Sequence, residues 1–130
     1  MVLDLKENYK TTLESKTVDR AYAISTFFIK IGLYANLKGF DYLIGAVEEV
    51  LKDSRMMHSL TKELYPKLAE RFQTSVGSVE RGIRNAIDIA CNRGKLYSVA
   101  NVYYGGNFSK NDRPTNGEFI SFLVTIVQDI

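Results

Sequence analysis

The chain has 130 residues, of which 45% are hydrophobic and 25% are charged, with a formal net charge of +2 and one cysteine. This length suits a single domain with its own core, and a lone cysteine excludes an internal disulfide. The acidic start does not resemble a signal peptide, and no apolar run reaches the roughly 18 to 20 residues that a membrane span needs. We therefore expect a cytoplasmic protein with no membrane partner.

The first part of the chain predicts a polar extension followed by a helix. Residues 1–17 fit either a short amphipathic helix or a frayed tail, so the domain itself is expected to span residues 18–130. Apolar side chains recur at helical spacing from Val18 onward. The pattern stops at Gly32, a residue type that ends helices readily.

The next predictions concern a second helix and the proline beyond it. A turn is expected over residues 36–39. The helical periodicity that follows it stops near Asp53, and the adjacent carboxylates Glu48 and Glu49 are assigned to the solvent-exposed face. Pro66 suits the first position of a further helix because it has no N–H to satisfy there. Residues 59–65 are expected to form one more short helical turn ahead of it. The residue before a proline is disfavoured in the αR region, so Tyr65 is expected to lie outside that region.

Residues 66–94 predict a helix-turn-helix. Ser75 suits the N-cap of the second helix, which is placed at about residues 76–93. The small Ala69, six residues before Ser75, allows the two helices to cross closely, as in bihelical DNA-binding units. The second helix has one apolar side, formed by Val79, Ile83, Ala86, Ile87 and Ala90.

The opposite side of that helix is polar. At about 100° per residue, one arc collects Gly77, Ser78, Glu80, Arg81, Arg84, Asn85 and Asp88. Arginine, asparagine and glutamate are side chains that read guanine, adenine and cytosine edges in the major groove. A solvated helix face would have a similar composition, but the spacing of the whole motif favours nucleic acid.

Positive charge is unevenly distributed along the chain. Residues 1–59 hold eight basic and eight acidic side chains, residues 60–113 hold nine and five, and residues 114–130 hold none and two. The positive excess therefore lies on the helix-turn-helix and the segment after it, as binding to phosphates requires.

The end of the chain predicts a loop and one more helix. Residues 96–112 show no period, whereas Thr115 and Glu118 have the spacing of a capping box. The helix that begins there has a broad apolar face, which suits either the domain's own core or a protein partner.

The titratable residues form no catalytic or metal-binding pattern. The single histidine, His58, and the single cysteine, Cys91, lie 33 residues apart, and neither has a second ligand at a zinc-binding spacing. We expect His58 at the solvent edge and Cys91 on the buried side of its helix. The sequence predicts no catalytic residue, no metal ligand and no cofactor.

Several stretches match a known family in the right order. They are IGLYANLKGFDYL (31–43), LTKELYPKLAERF (60–72), SVERGIRNAI (78–87), CNRG (91–94) and RPTNGEFI (113–120). On these motifs, about four-fifths of the chain resembles the DNA-binding C-terminal effector domain of the stage zero sporulation protein A family of response regulators. The resemblance implies an all-α domain of about six helices around a central helix-turn-helix, in the winged-helix-like class of response-regulator effectors.

The resemblance also implies partners. The family binds short promoter boxes in double-stranded DNA, so a homodimer on tandem boxes and RNA polymerase are further candidates. Glu80, Arg81 and Arg84 occupy recognition-helix positions in the family's R-V-E-R-x-I-R pattern. Ser78 replaces the first arginine of that pattern, and Asn85 replaces the histidine usual after the last. At least one contact is therefore lost or changed, and with it the identity of the target box.

Two sets of DNA contacts are expected. Base reading is assigned to Arg81, Arg84, Glu80, Asn85 and Ser78. Phosphate contacts are assigned to Ser75, Lys95, Lys110, Arg113 and Thr115. The first set should decide which sequence is bound, and the second should strengthen binding to every duplex alike.

Two questions stay open. Only about 23 residues precede the match, too few for a receiver domain, so the chain is either an excised effector domain or a stand-alone relative, and Met1 favours the second. The alternative function is an interaction module that no longer binds DNA and acts on a full-length regulator through protein contacts. Ser78 in place of arginine favours that alternative, whereas Arg81, Arg84, Lys110 and Arg113 oppose it.

Overall fold

The computed structural model describes residues 16–93 and 113–129, with side chains placed for residues 22–93 and 113–128. Within these ranges the chain is helical and no β-strand is present. The α-helices are α1 Lys16–Lys30, α2 Lys38–Lys52, α3 Tyr65–Arg71, α4 Val76–Asn92 and α5 Asn116–Asp129. A 3-10 turn, Ser54–His58, and a π-helical turn, Leu60–Leu64, join α2 to α3. The all-α prediction is confirmed, with five α-helices in the described ranges where about six were expected.

The core forms around α2. This helix contacts each of the other four α-helices. Completely buried side chains come from all five helices and include Ile24, Phe28, Leu43, Val47, Leu68, Ile83 and Ile120. Helical periodicity therefore identifies the buried face of each helix correctly at these positions.

The end of α1 has the geometry predicted for its glycine. Gly32 has φ of +96°, a value that residues with a side chain rarely adopt. Its N–H donates to the Ile29 carbonyl at 3.1 Å, and the Leu33 N–H donates to the Phe28 carbonyl at 2.9 Å. These are the two hydrogen bonds of a Schellman motif, so the predicted helix terminator is confirmed.

Pro66 does not interrupt the helical path, and the prediction that Tyr65 lies outside the αR region is wrong. Tyr65 has helical dihedral angles (φ −62°, ψ −43°) and is the first residue of α3, with Pro66 second. In the preceding turn the Leu64 N–H donates to the Ser59 carbonyl at 3.1 Å, an i to i−5 bond. In the first turn of α3 the missing N–H of Pro66 costs little, so the proline is tolerated there.

Glu48 and Glu49 are buried, so their assignment to the exposed face of α2 is wrong. Their exposed fractions are 9% and 6%. Arg71 of α3 donates to Glu48 at 2.6 Å, and Lys67 Nζ lies 3.3 Å from Glu49 Oε1. The two cations compensate the two carboxylates, and they lie on another helix, where periodicity along α2 cannot reveal them.

The start of α5 is the predicted capping box. The Thr115 N–H donates to Glu118 Oε1 at 2.9 Å, and the Glu118 N–H donates to Thr115 Oγ1 at 3.1 Å. On the broad apolar face of α5, Phe119, Ile120, Leu123 and Ile126 are at most 1% exposed. That face therefore packs into the domain's own core.

Candidate nucleic-acid interface

The turn between α3 and α4 combines a left-handed residue with a serine cap. Gln73 has φ of +53°, which is uncommon for a residue other than glycine. The next N–H, of Thr74, donates to the Ala69 carbonyl at 2.8 Å and closes the end of α3. Ser75 Oγ accepts from the Ser78 N–H at 3.1 Å, so the predicted N-cap of α4 is confirmed.

The two sides of α4 differ sharply in burial. Val79, Ile83, Ala86, Ile87 and Ala90 are at most 2% exposed, and Cys91 is buried beside them as a free thiol. On the other side Arg81, Arg84 and Asn85 are exposed, while Gly77, Ser78, Glu80 and Asp88 are partly exposed. The apolar side anchors α4 in the core, so the polar arc faces outward.

Two accessible arginines occupy the outward arc. Arg84 forms an ion pair with Glu80 one turn earlier, and 57% of its side chain remains exposed. Arg81 has no carboxylate partner among the side chains of residues 22–93 and 113–128. Its guanidinium lies beside Gly77, where the absence of a side chain leaves room for it. One guanidinium is thus oriented by a carboxylate and the other is unpaired in the described part of the chain.

The remaining base-reading candidates lie on the same face of α4. Asn85 is exposed, and no hydrogen-bond partner for its side chain occurs among the described residues. The Ser75 hydroxyl donates to Ser78 Oγ at 2.9 Å, so both serines take part in the cap of α4. The structure therefore brings all five candidates together, with Ser78 and Glu80 already engaged in bonds within the helix.

Arg113 is held against the C-terminal half of α4. Its Nη1 donates to Asp88 Oδ1 at 2.9 Å and its Nη2 donates to Asn92 Oδ1 at 2.7 Å. These acceptors lie one to two turns beyond Arg84 on the outward side. Since 45% of the Arg113 side chain stays exposed, a phosphate would compete with Asp88 for it.

The other phosphate-contact candidates differ in position. Thr115 is exposed and caps α5, next to Arg113. Lys95 and Lys110 lie outside the described residues, as does the predicted loop over residues 96–112.

Asn116 connects three helices, a role that sequence reasoning missed. Its Nδ2 donates to Tyr65 Oη on α3 and to the Glu80 carbonyl on α4, both at 3.2 Å. Burial raises the pKa of the Tyr65 phenol, and the hydrogen bond from Asn116 opposes that shift. Asparagine at the start of a helix is typical of capping, so its residue type pointed to a local role.

Sequence reasoning also missed a pair of glycines at which α2 packs directly against α4. A methyl group at Gly39 of α2 would overlap the Gly82 carbonyl of α4, and one at Gly82 would lie 2.8 Å from the Tyr42 ring. The two backbones therefore meet directly. Gly39 and Gly82 lie 43 residues apart in the sequence, so no local pattern links them until the partner helix is known.

Metal-binding residue types and long apolar helices are the remaining features of the described residues. Among the side chains of residues 22–93 and 113–128, no group of three or more His, Cys, Asp or Glu residues could hold a metal ion. His58 is exposed at the end of the 3-10 turn. No helix in the same ranges is long and apolar enough to cross a membrane.

A capped second helix with an outward polar arc, fixed by buried contacts to α2 and α3, defines a helix-turn-helix domain of the DNA-binding class. A family model described as "Sporulation initiation factor Spo0A C terminal" matches residues 24–127. This match covers four-fifths of the chain, and the chain belongs to this family. The family is one of DNA-binding effector domains of sporulation regulators and not one of enzymes. The resemblance found in the sequence is thereby confirmed.

Proposed function

We propose that the chain is a sequence-specific DNA-binding transcription regulator whose recognition helix, α4, enters the major groove. The observation that carries the proposal is the exposed pair Arg81 and Arg84, which lies opposite a buried face of the same helix. An α-helix fits the major groove, and arginine donates two hydrogen bonds to guanine O6 and N7. Membership in a DNA-binding family supports the same partner.

Each polar residue of the arc has a role in this proposal. The ion pair with Glu80 restricts the Arg84 guanidinium before DNA arrives, and the Glu80 carboxylate is suited to accept from cytosine N4. Asn85 is suited to adenine, which offers one donor and one acceptor in the major groove. Ser75, Lys95, Lys110, Arg113 and Thr115 contact phosphates.

Two further partners are proposed. They are a second copy of the chain, bound to a neighbouring tandem box, and RNA polymerase. Because the apolar face of α5 is buried within the domain, a dimer must use another surface. Analytical ultracentrifugation of the free protein, and of complexes with duplexes carrying one or two boxes, tests the dimer. Binding to two boxes with no cooperativity would remove the second copy from the proposal.

The main test compares two duplexes. We expect the chain to bind a promoter fragment with the family's boxes more tightly than a random duplex of equal length at physiological salt. Arg84→Ala should lose about 1 to 3 kcal/mol on the promoter fragment and little on the random duplex, because a bidentate base contact disappears. Arg55→Ala is the matched control, since Arg55 is an exposed arginine beyond the far end of α2. Equal affinity for both duplexes, unchanged by Arg84→Ala, would favour the interaction module instead.

A further inference from the structure

A helix in the major groove lies between two phosphate backbones, and the groove is about 12 Å wide. Apart from Ser75 at the start of α4, the described phosphate candidates are Arg113 and Thr115. Both lie on the side of α4 that faces α5. The opposite side of α4 is formed by α2 and by the segment that links α1 to α2. Exposed cations on that side have no role in the proposal so far.

The start of α2 lies directly against α4. Gly39, the second residue of α2, meets the backbone of Gly82, and no side chain separates them. Lys38 immediately precedes this contact and is exposed. Among the side chains of residues 22–93 and 113–128, no carboxylate pairs with Lys38, in contrast to Arg84 and Arg113, which both have acidic partners.

Arg93 extends the same edge of α4 toward its C-terminal end. It follows Gly82 by eleven residues, so the two lie within about 20° of each other around the helix axis. The aliphatic part of Arg93 packs on Gly32, and its guanidinium lies 4.2 Å from the centre of the exposed Tyr34 ring. This cation–π contact orients the guanidinium, and no carboxylate among the described residues neutralises it.

We propose that Lys38 and Arg93 form a second phosphate-binding edge, which contacts the DNA backbone on the α2 side of the recognition helix. The inference rests on the proposed function, because it requires α4 in the major groove. With this edge, cations lie on both sides of α4, and the protein contacts the phosphate backbones of both DNA strands.

The test uses the full chain with Lys38→Ala, Arg93→Gln and the double variant. Lys52→Ala is the control, because Lys52 is an exposed, equally unpaired lysine in the described part of the chain, fourteen residues along the same helix and about 21 Å away. Fluorescence anisotropy measures the affinity for the promoter fragment and for a random duplex over a range of salt concentrations. Thermal unfolding of each variant verifies that the fold is kept.

Loss of one phosphate contact should make the slope of log affinity against log salt shallower by about 0.9. We expect that change in each single variant and about twice that change in the double variant, with the preference for the promoter fragment retained. Arg93→Lys should keep most of the slope because the charge remains. Lys52→Ala should behave like the wild type.

Ethylation interference on the wild-type complex gives an independent measurement that needs no variant. Sensitive phosphates on the α2 side of the recognition helix, opposite Arg113, support the inference, and sensitive phosphates on the Arg113 side alone overturn it. If Lys38→Ala and Arg93→Gln keep the wild-type salt dependence of affinity, the second edge is overturned. If Arg84→Ala also loses its preference for the promoter fragment, the proposed function still stands. If the wild type itself shows no preference between duplexes, the proposed function fails and the second edge with it.

Discussion

Arg71 donates a hydrogen bond to Glu48 at 2.6 Å across the contact between α3 and α2. The same guanidinium lies 3.5 Å from Glu49, which also has Lys67 at 3.3 Å. Burying a carboxylate is costly unless a cation and hydrogen bonds compensate it. The first helix of the helix-turn-helix is therefore fixed to the central helix by charge as well as by the packing of Leu68.

Arg71→Ala should destabilise the domain because it leaves two buried carboxylates with one cation. Removing one partner of a fully buried pair costs about 3 to 5 kcal/mol. Since 39% of the Arg71 side chain is exposed, we expect a smaller loss, about 1 to 3 kcal/mol, from urea denaturation. Adding Glu48→Gln to Arg71→Ala should recover part of that loss.

The control for this prediction is another arginine–carboxylate pair. Arg55 and Asp53 are 2.9 Å apart within one exposed turn, where the hydrogen bond from Arg55 lowers the pKa of the Asp53 carboxyl. Arg55→Ala should change the free energy of unfolding little, because solvent screens this pair. Equal losses in Arg55→Ala and Arg71→Ala would contradict the role of burial.

Local patterns in the sequence predicted the caps and the buried faces. Gly32, Ser75 and the pair Thr115 and Glu118 act on backbone groups only a few residues away, so residue type and spacing were sufficient. The apolar face of α4 followed in the same way, because a helix period is a local property. The same period places Arg81 and Arg84 opposite the apolar face, and therefore outward.

Contacts between distant residues could not be predicted in this way. Glu48 and Glu49 look like a solvated pair until Arg71, 23 residues later, is known to face Glu48. The bonds from Arg113 to α4 span 25 and 21 residues, and no pattern along the chain connects them. The helical Tyr65 directly follows a π-helical turn, which propensity arguments do not anticipate.

The crossing of α2 and α4 predicts an order of effects for three glycines. Gly39→Ala would place a methyl on the Gly82 carbonyl, which is backbone and cannot rotate away, so we expect a loss of about 1 to 3 kcal/mol. Gly82→Ala would meet the Tyr42 ring, a side chain that can shift, and should cost less. Chemical denaturation of the two variants measures the difference.

Gly77→Ala is the reference for these two glycines. The nearest atom to a methyl there is the end of the flexible Arg81 side chain, at 3.0 Å. Alanine favours a helix over glycine by roughly 0.5 to 1 kcal/mol, so Gly77→Ala should be neutral or slightly stabilising. A Gly39→Ala variant as stable as Gly77→Ala would show that the helices do not meet as closely as the structure indicates.

The Tyr65 phenol predicts a dependence of stability on alkaline pH. Burial raises its folded-state pKa above the usual 10.0, so the folded state holds this proton more tightly than the unfolded state does. The resulting stabilisation is fully present below pH 10 and is lost as the pH rises through the folded-state pKa. Thermal unfolding of the wild type and Tyr65→Phe, followed from neutral to alkaline pH, measures it.

Tyr65→Phe should be less stable than the wild type at neutral pH by about 1 kcal/mol, because Asn116 loses one acceptor. Above pH 10 the difference should shrink, since phenylalanine has no proton to lose. Asn116→Ala serves as the comparison: it removes the same hydrogen bond but keeps the ionisable phenol, so its alkaline decline should persist. A difference that does not vary with pH would contradict this account of Tyr65.

Ser75 allows the stability of α4 to be separated from DNA binding. Ser75→Ala removes the cap and should cost about 1 kcal/mol in stability, whereas Ser75→Asp keeps an acceptor for the Ser78 N–H and should remain close to the wild type. If Ser75 lies beside a phosphate, the added carboxylate should weaken binding to every duplex alike. Ser54→Asp adds the same charge in the exposed 3-10 turn and should leave binding nearly unchanged. Equal DNA affinities for Ser75→Asp and Ser54→Asp would place the start of α4 away from the phosphate backbone, because repulsion between like charges fades within about 10 Å at moderate salt.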